Sequence, residues 1–371
     1  MSGTDNSRSK QYAYLAGVGM ITPVGANTVM TTAAVNAGIN QYTISEYLDK
    51  QDRPITTTAI PEGLFTAMQI EIDEGQYYSE QFDHIIKMAI IAAGEAVAGH
   101  RIEAPIPLIL AMPEPQPEID HIESSILISN LVNQAPLPLS VEKSRCIHTG
   151  RAAGIQGLDL AMRYLYEADE EYVLLGGSDS YLSYPRLDKL SDAQRLLVKN
   201  SDNGFAPGEG AGFLLLTRNP EKAHCHEGHI IALCSPGEGE EPGYFSSDQP
   251  YKGEGLDQAF KQALQGPASP AINSVYSSMN GEHFWAKEYG VAMMRNKAYF
   301  HDKVSTEHPA DCYGDLGSAT GPVLIGLAAE RLFKQVSLDS SLVYSSSDNA
   351  WRAAVRIDKV SYAFNREATY E

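Results

Sequence analysis

The sequence predicts an α/β protein in which helices alternate with buried strands. The clearest sign is the order of patterns over residues 150–177, which runs from a helix through an acidic break to an apolar strand and two glycines, as in parallel α/β proteins. The composition agrees, because 43% hydrophobic and 20% charged residues provide a large core and lie far from the disordered class. A length of 371 residues predicts two domains, or one large unit of two similar halves.

Elements in the first half follow from apolar spacing and from capping residues. Asn27 is placed to cap one helix and Ser79 another, in which apolar side chains recur at helical spacing. Ten polar residues before these elements predict a frayed tail. The predicted strands are Tyr12–Gly17, Pro105–Met112, Tyr172–Leu175 and Gly212–Thr217. The predicted helices are Thr28–Ala37, Ser79–Gly99, Ile119–Val132, Gly150–Tyr166 and Pro185–Val198.

The second half repeats a similar order of elements. Apolar patterning stops over residues 219–228, which places the boundary there and divides the chain into halves at 12–220 and 228–371. Residues 235–250 (SPGEGEEPGYFSSDQP) are rich in turn formers and predict a long loop. The predicted strands are His229–Leu233, Ser274–Ser278, Leu342–Ser346 and Ala353–Ile357. The predicted helices are Leu256–Leu264, His283–Tyr299 and Gly321–Phe333.

Charge and cysteine content exclude several classes of function. With 28 basic and 47 acidic side chains the formal charge is −19, which argues against nucleic acid or an anionic membrane as a partner. No signal-peptide pattern opens the chain and no apolar run reaches the roughly 20 residues of a membrane span, so a cytoplasmic protein is expected. Four scattered cysteines predict neither a disulfide framework nor a zinc site, and no cofactor is expected.

Three motifs, in order along the chain, together resemble the β-ketoacyl synthases of the thiolase superfamily. They are AGVGMITPVG (Ala16–Gly25), GGSDSY (Gly176–Tyr181) and GFAPGEGAGFLLL (Gly204–Leu216). The resemblance implies a thiolase-like fold with two pseudo-symmetric, five-layered α-β-α-β-α halves. It also implies a homodimer in which one sheet continues across the interface. Glu209 in the third motif is expected to be structural, holding buried backbone amides.

The same resemblance implies a catalytic cysteine at the start of a buried helix, where the helix N-terminus lowers the thiol pKa, and two assisting histidines. The matching positions hold Arg151, Asn280 and Asp315, although the register at Asp315 leaves a shift of about one residue open. Arginine carries no nucleophilic atom, and asparagine cannot shuttle a proton. A glycine-rich loop of the family is also replaced, by SSSDNAW (Ser345–Trp351). We therefore expect a pseudoenzyme without catalytic residues.

Arg151 and Asp315 are expected to face each other across the former active site, as a charge-assisted and bidentate pair. The alternative is that each side chain is solvated separately. Cys146, with His148 nearby in sequence, is the alternative nucleophile if a loop insertion has shifted the alignment. The structural interpretation is that Cys146 is a small buried apolar residue. Three histidines lie around Cys225, but nothing fixes their geometry, and no metal site is expected there: they are His224, His226 and His229.

Three functions remain open. The first is an inactive ketosynthase-like scaffold or adaptor for a partner protein, resembling the thiolase-like accessory proteins of type VI secretion effectors. Its acidity is compatible with a basic cargo. The second is a chain-length-factor-like subunit that forms a heterodimer with an active ketosynthase. The third is a β-ketoacyl synthase-type acyltransferase that uses Cys146. Loops 235–250 and 113–118 are the candidate partner surfaces.

Overall fold

The computed structural model describes residues 11–67, 80–116, 119, 123–134, 137–265 and 271–362. The strands are β1 (Ala13–Ile21), β2 (Thr43–Leu48), β3 (Pro54–Thr57), β4 (Ile106–Ala111), β5 (Leu139–Ile147), β6 (Val173–Ser180), β7 (Glu209–Thr217), β8 (His229–Leu233), β9 (Gly237–Glu240), β10 (Ile272–Ser277), β11 (Phe300–Glu307), β12 (Ser340–Ser346) and β13 (Trp351–Ser361). The helices are α1 (Thr28–Asn36), α2 (Glu62–Ala67), α3 (Glu80–Val97), α4 (Ser124–Gln134), α5 (Ala153–Tyr166), α6 (Tyr184–Asp192), α7 (Glu254–Leu264), α8 (His283–Arg295), α9 (Ala310–Tyr313) and α10 (Thr320–Lys334).

The two halves of the chain have the same sheet topology. Strands of the first half lie in the order β5-β4-β6-β7-β1, and strands of the second half in the order β11-β10-β12-β13-β8. In both halves the first three strands of that order are parallel and the last two are antiparallel to their neighbours. The halves join where Ala13 pairs with Leu233 and Tyr14 with Ala232. The predicted pseudo-symmetry is therefore confirmed.

Helices and sheets are stacked in five layers across the two halves. Helix α3 packs outside the first sheet, on β1, β6 and β7, and α7 packs outside the second sheet, on β13. Helices α5 and α10 lie between the sheets, where α10 contacts both β7 and β12. They approach closely, since a Cβ on Gly154 would lie 2.3 Å from Cδ of Pro322. This α-β-α-β-α arrangement confirms the predicted thiolase-like α/β fold.

Apolar burial explains why these segments form these elements. Every residue of β4, β6 and β7 is buried, as expected for strands covered by helices on both faces. Asn27 caps α1 as predicted, because its side-chain oxygen accepts a hydrogen bond from the Met30 amide. The predicted cap Ser79, like the polar tail, lies outside the described residues. The boundary at 219–228 stays a prediction; β7 and β8 flank that segment.

Several predicted elements need correction. Helix α4 begins at Ser124 instead of Ile119, and α6 ends at Asp192 instead of Val198. The end of α6 follows from Gln194, whose left-handed backbone (φ 55°) stops the helix. The predicted loop 235–250 contains β9, which pairs with β13. Strand β5 was not predicted. It lies at the edge of the sheet, and its exposed, charged residues interrupt the apolar pattern that indicates a strand.

No helix in the described part of the chain is long and apolar enough to cross a membrane.

Candidate functional site

Arg151 lies at the entrance to the buried central helix. It belongs to a 3-10 turn (Gly150–Ala152) that leads directly from β5 into α5, and only 3% of its surface is exposed. Gly150 has φ 65°, a left-handed conformation that glycine adopts without strain. The chain therefore turns sharply at Gly150, and the Arg151 side chain lies in the protein interior.

The three positions that the resemblance aligned with catalytic residues meet at one point. Nη1 of Arg151 lies 2.5 Å from Oδ2 of Asp315, and both side chains are almost fully buried. Asn280 donates from Nδ2 to the same carboxylate oxygen at 2.8 Å. Asn280 follows β10, and Asp315 lies between α9 and α10, so three distant segments converge here. The predicted Arg151–Asp315 pair is confirmed, although only one of the two Asp315 oxygens contacts the arginine; Oδ1 accepts from the Gly317 amide.

A second carboxylate and a second arginine complete the network. Nη2 of Arg151 contacts Asp348 at 2.5 Å, and Asp348 also accepts from Nη1 of Arg195 at 2.6 Å. Arg195 forms two parallel bonds with Glu282, from Nε at 2.7 Å and from Nη2 at 2.8 Å. The indole of Trp285 donates to Glu282 and lies 4.7 Å from the Arg151 guanidinium. Such bidentate, charge-assisted contacts are among the strong hydrogen bonds of proteins.

The electrostatics keep the network ionised. Burial opposes the charge of Asp348, but the guanidinium groups of Arg151 and Arg195 outweigh it and hold the pKa of Asp348 well below its ordinary value. Burial likewise disfavours charge on Arg151, and Asp315 and Asp348 outweigh it, so the pKa of Arg151 is raised further. Arg151 and Asp348 therefore hold each other in their ionised forms.

The loop that replaces the family's glycines closes over Arg151. Nε of Arg151 donates to the carbonyl of Ser346 at 2.8 Å, and the Ala152 amide donates to Oγ of Ser347 at 3.0 Å. Oγ of Ser347 in turn donates to the carbonyl of Thr149, so no base is aligned with this hydroxyl. The cavity left beside Arg151 measures about 20 Å³, which holds little more than one water.

Cys146 is placed differently. It lies on β5 with its thiol partly buried against the outer apolar cluster, and burial raises its pKa, which lowers the thiolate fraction. Nε2 of His148 is hydrogen-bonded to Oγ of Ser124 at 2.8 Å. The partial burial and the raised pKa favour the structural interpretation of this thiol.

Glu209 has the structural role that was expected. Its Oε1 accepts from the Ile60 amide at 2.8 Å, and its Oε2 accepts from the Ser180 hydroxyl at 2.9 Å. His84 lies 3.0 Å from Oε2, and its pKa is raised: burial opposes the charge, but contact with Glu209 prevails. The carboxylate therefore ties a loop, a strand end and α3 together.

The histidines near Cys225 do not form a metal centre. The rings of His224 and His226 stand edge-on to Phe333. Within the described ranges, no group of three or more His, Cys, Asp or Glu side chains is arranged to hold a metal ion.

Sequence reasoning missed Arg195, Glu282 and Asp348 as members of the site. Their contacts depend on three loops that meet only in the folded chain. Asp348 itself could have indicated the site, because it is a carboxylate in the loop that replaces the family's glycines. A buried Arg151 would need such a counter-charge.

Comparison with known proteins defines the class. Residues 143–222, which include Arg151, α5 and the Glu209 loop, match the β-ketoacyl synthase N-terminal domain. The ishigamide ketosynthase/chain length factor superimposes with a TM-score of 0.75 at 16% identity, over 96% of this chain and 100% of that chain. The thiolase-like fold and the match over residues 143–222 thus make this chain similar to ketosynthases.

Two further solved structures have the same fold. A ketosynthase in complex with its chain length factor from Xenorhabdus doucetiae gives a TM-score of 0.67 at 14% identity, over 97% of this chain and 100% of that chain. The ketosynthase from module 6 of the bacillaene synthase from Bacillus subtilis 168 gives 0.69 at 14% identity, over 95% and 72%. None of the curated proteins matches the chain in sequence.

Proposed function

We propose that this chain is a catalytically inactive ketosynthase-like protein that acts by binding a partner protein. The observation that carries the proposal is the buried network around Arg151. A charged arginine stands at the start of the central helix, where the resemblance places the nucleophile, and it is bound on two sides by Asp315 and Asp348.

Chemistry at this centre would need a nucleophile and a proton carrier. Arginine supplies neither, because it stays protonated and its nitrogens donate hydrogen bonds only. Asn280 donates to Asp315 and cannot accept and release a proton as an imidazole does. The cavity that Arg151 itself lines measures about 20 Å³ and is too small for an acyl group.

An active ketosynthase is the partner that the comparisons favour. Two of the solved structures with this fold are described as ketosynthase and chain length factor assemblies, and this chain covers the full length of each matched chain. A subunit without a nucleophile fits a heterodimer in which the other subunit does the chemistry. The alternative is a homodimer, which the same experiment tests.

A type VI secretion effector is the second candidate partner. What supports it is the formal charge of −19, which would attract a basic cargo protein at long range. Neighbouring genes discriminate between the two partners: genes for an active ketosynthase and a carrier protein favour the first, and secretion or toxin genes favour the second.

The proposal is tested by purifying the tagged chain from its own cells and measuring the mass of the native complex. A stoichiometric complex with a cysteine-bearing ketosynthase supports the chain-length-factor role, and one with a toxin supports the scaffold role. A chain that is found only without a protein partner and turns over an acyl donor contradicts the proposal.

A further inference from the structure

The imidazole ring of His84 lies between carboxylates from two different elements. On one side, its Nδ1 lies 3.0 Å from Oε2 of Glu209, the first residue of β7, whose side chain is buried. On the other side, its Nε2 lies 3.0 Å from Oε1 of Glu62, the first residue of α2. His84 itself belongs to α3. One ring therefore connects α2 to the buried end of β7 through its two opposite nitrogens.

Helix α2 contacts the same ring at a second point. The ring of Phe65 stands edge-on to that of His84, with the two centroids 4.5 Å apart. Phe65 follows Glu62 by three residues, so both side chains lie on the same face of the helix. Phe65 and the neighbouring Leu64 pack into the outer apolar cluster, which α3 also lines. The contacts of His84 therefore determine how firmly α2 covers that cluster.

Only the protonated ring suits both carboxylates. A neutral imidazole has one N–H and one lone pair, so a ring that donates from Nδ1 to Glu209 turns the lone pair of Nε2 towards Glu62. An imidazolium has an N–H on both nitrogens. Among the described residues, Nε2 has no aligned hydrogen-bond partner, so its attraction to Glu62 comes from charge alone. That attraction exists only while the ring is protonated.

The charges around the ring set the direction of the pH dependence. Burial lowers the pKa of His84, but Glu209 and then Glu62 outweigh burial and the opposing charge of Lys87, so the pKa is raised. Those three side chains are the charged groups that face the ring from the described elements. A raised pKa contributes stability that is present below the unfolded value of about 6.5 and is lost as pH rises through the folded value.

We propose that His84 is a pH-sensitive latch for α2: the imidazolium holds the helix on the outer apolar cluster, and the neutral ring releases its first turn. The latch is closed in mild acid and weakens above neutral pH. Its effect is modest and sensitive to salt, because 72% of the Glu62 side chain is exposed and water screens the contact. The proposal depends neither on the Arg151 network nor on the partner-binding function.

Hydrogen exchange of the full chain, followed by mass spectrometry of the peptide 58–67, tests the latch. After correction for the intrinsic exchange rate, protection of this peptide should fall by about threefold or more between pH 6 and pH 8. His84→Gln cannot be charged, so its peptide should be weakly protected at both pH values. In Glu62→Gln the new amide can donate to the neutral ring, so the pH dependence should be smaller than in the parent.

Glu254→Gln is the matched control, because Glu254 is also an exposed glutamate at the first residue of a helix, α7. It should retain the full pH dependence of peptide 58–67. Protection of the buried helix α10 serves as the internal reference and should not change between pH 6 and pH 8.

Four outcomes would overturn the proposal. They are constant protection of peptide 58–67 in the parent, a pH dependence that persists in His84→Gln, equal effects of Glu62→Gln and Glu254→Gln, and an equal loss of protection in α10. The last outcome would assign the change to global unfolding. Because Glu62 and Glu254 are exposed, their comparison decides the question even if His84→Gln does not fold.

Discussion

The guanidinium of Arg151 and the carboxylate of Asp315 lie 2.5 Å apart, although 164 residues separate them in sequence. Their side chains are 3% and 1% exposed, so water screens the contact very little. Removal of Asp315 leaves Arg151 with Asp348 as its counter-charge, whereas removal of Arg151 leaves the buried carboxylate of Asp315 on the neutral donors of Asn280 and Gly317. Loss of one partner of this buried pair should therefore cost more stability than loss of one partner of an exposed pair.

Asp315→Ala should strongly destabilise the protein. Loss of one partner of a buried pair costs about 3–5 kcal/mol. We expect a loss towards the lower end of this range, because Asp348 still faces Arg151. The free energy of unfolding, from urea denaturation, measures it. Adding Arg151→Met should restore part of the loss. The control is Asp159→Ala, which breaks an exposed pair with Arg163 and should cost less than about 1 kcal/mol. Equal losses in the two single variants would contradict the account.

Asp348 should make the protein sensitive to acid. Its pKa in the folded state lies below the unfolded value of about 3.9. A lowered pKa contributes stability that is present above the unfolded value and is lost as pH falls below about 4. Asp348→Asn should therefore be less stable than the parent at pH 7, with a difference that shrinks between pH 4 and pH 2. Denaturation curves at each pH measure the difference; a constant difference would argue against this role.

Glu114 should have the opposite effect. Its pKa is raised to about 7, first by burial and then by Asp348, so the folded state disfavours the carboxylate. The resulting penalty grows as pH rises from the unfolded value of about 4.3 towards 7. Glu114→Gln should become more stable relative to the parent by about 1–2 kcal/mol between pH 5 and pH 8. Glu103→Gln, at an exposed site, should show no such trend.

Gly154 should be essential for the packing of the central helices. A Cβ at this position would lie 2.3 Å from Cδ of Pro322, so Gly154→Ala should separate α5 from α10 and cost about 1–3 kcal/mol. Gly94 in α3 is the matched control, because nothing lies within 4 Å of its Cβ position. Gly94→Ala should stabilise the helix by about 0.5–1 kcal/mol. Thermal unfolding compares the stability of the two variants. A similar loss of stability in both would contradict the close approach of α5 and α10.

Much of the fold could be predicted from sequence because its buried elements carry strong patterns. Strand β4 and helix α10 are apolar almost throughout, and the Asn27 cap marks the start of α1. Strand β5 was not predicted, because it lies at the edge of the sheet, where charged residues such as Lys143 are tolerated. Strand β9 was not predicted, because glycines such as Gly237 and Gly239 are typical of turns. In the structure they let α7 approach the strand closely.

The candidate site was predictable only in part. The positions of Arg151, Asn280 and Asp315 could be predicted, because they align with motifs of the resembled family. Their contact could be predicted from the fold that the resemblance implies. The contact between Arg195 and Asp348 could not be predicted, since both residues lie on irregular segments whose positions no periodicity encodes. The alternative nucleophile Cys146 could be judged only from the structure, which shows its burial and the raised pKa of its thiol.

Intact mass after incubation with acyl-CoA and acyl-carrier-protein donors tests the central claim most directly, with Cys146→Ala as the matched control. The account predicts no mass gain with any donor, because Arg151 stands where a nucleophile is needed and the thiol of Cys146 has a raised pKa. A gain of one acyl group that disappears in Cys146→Ala would contradict it, and would make this protein an acyltransferase.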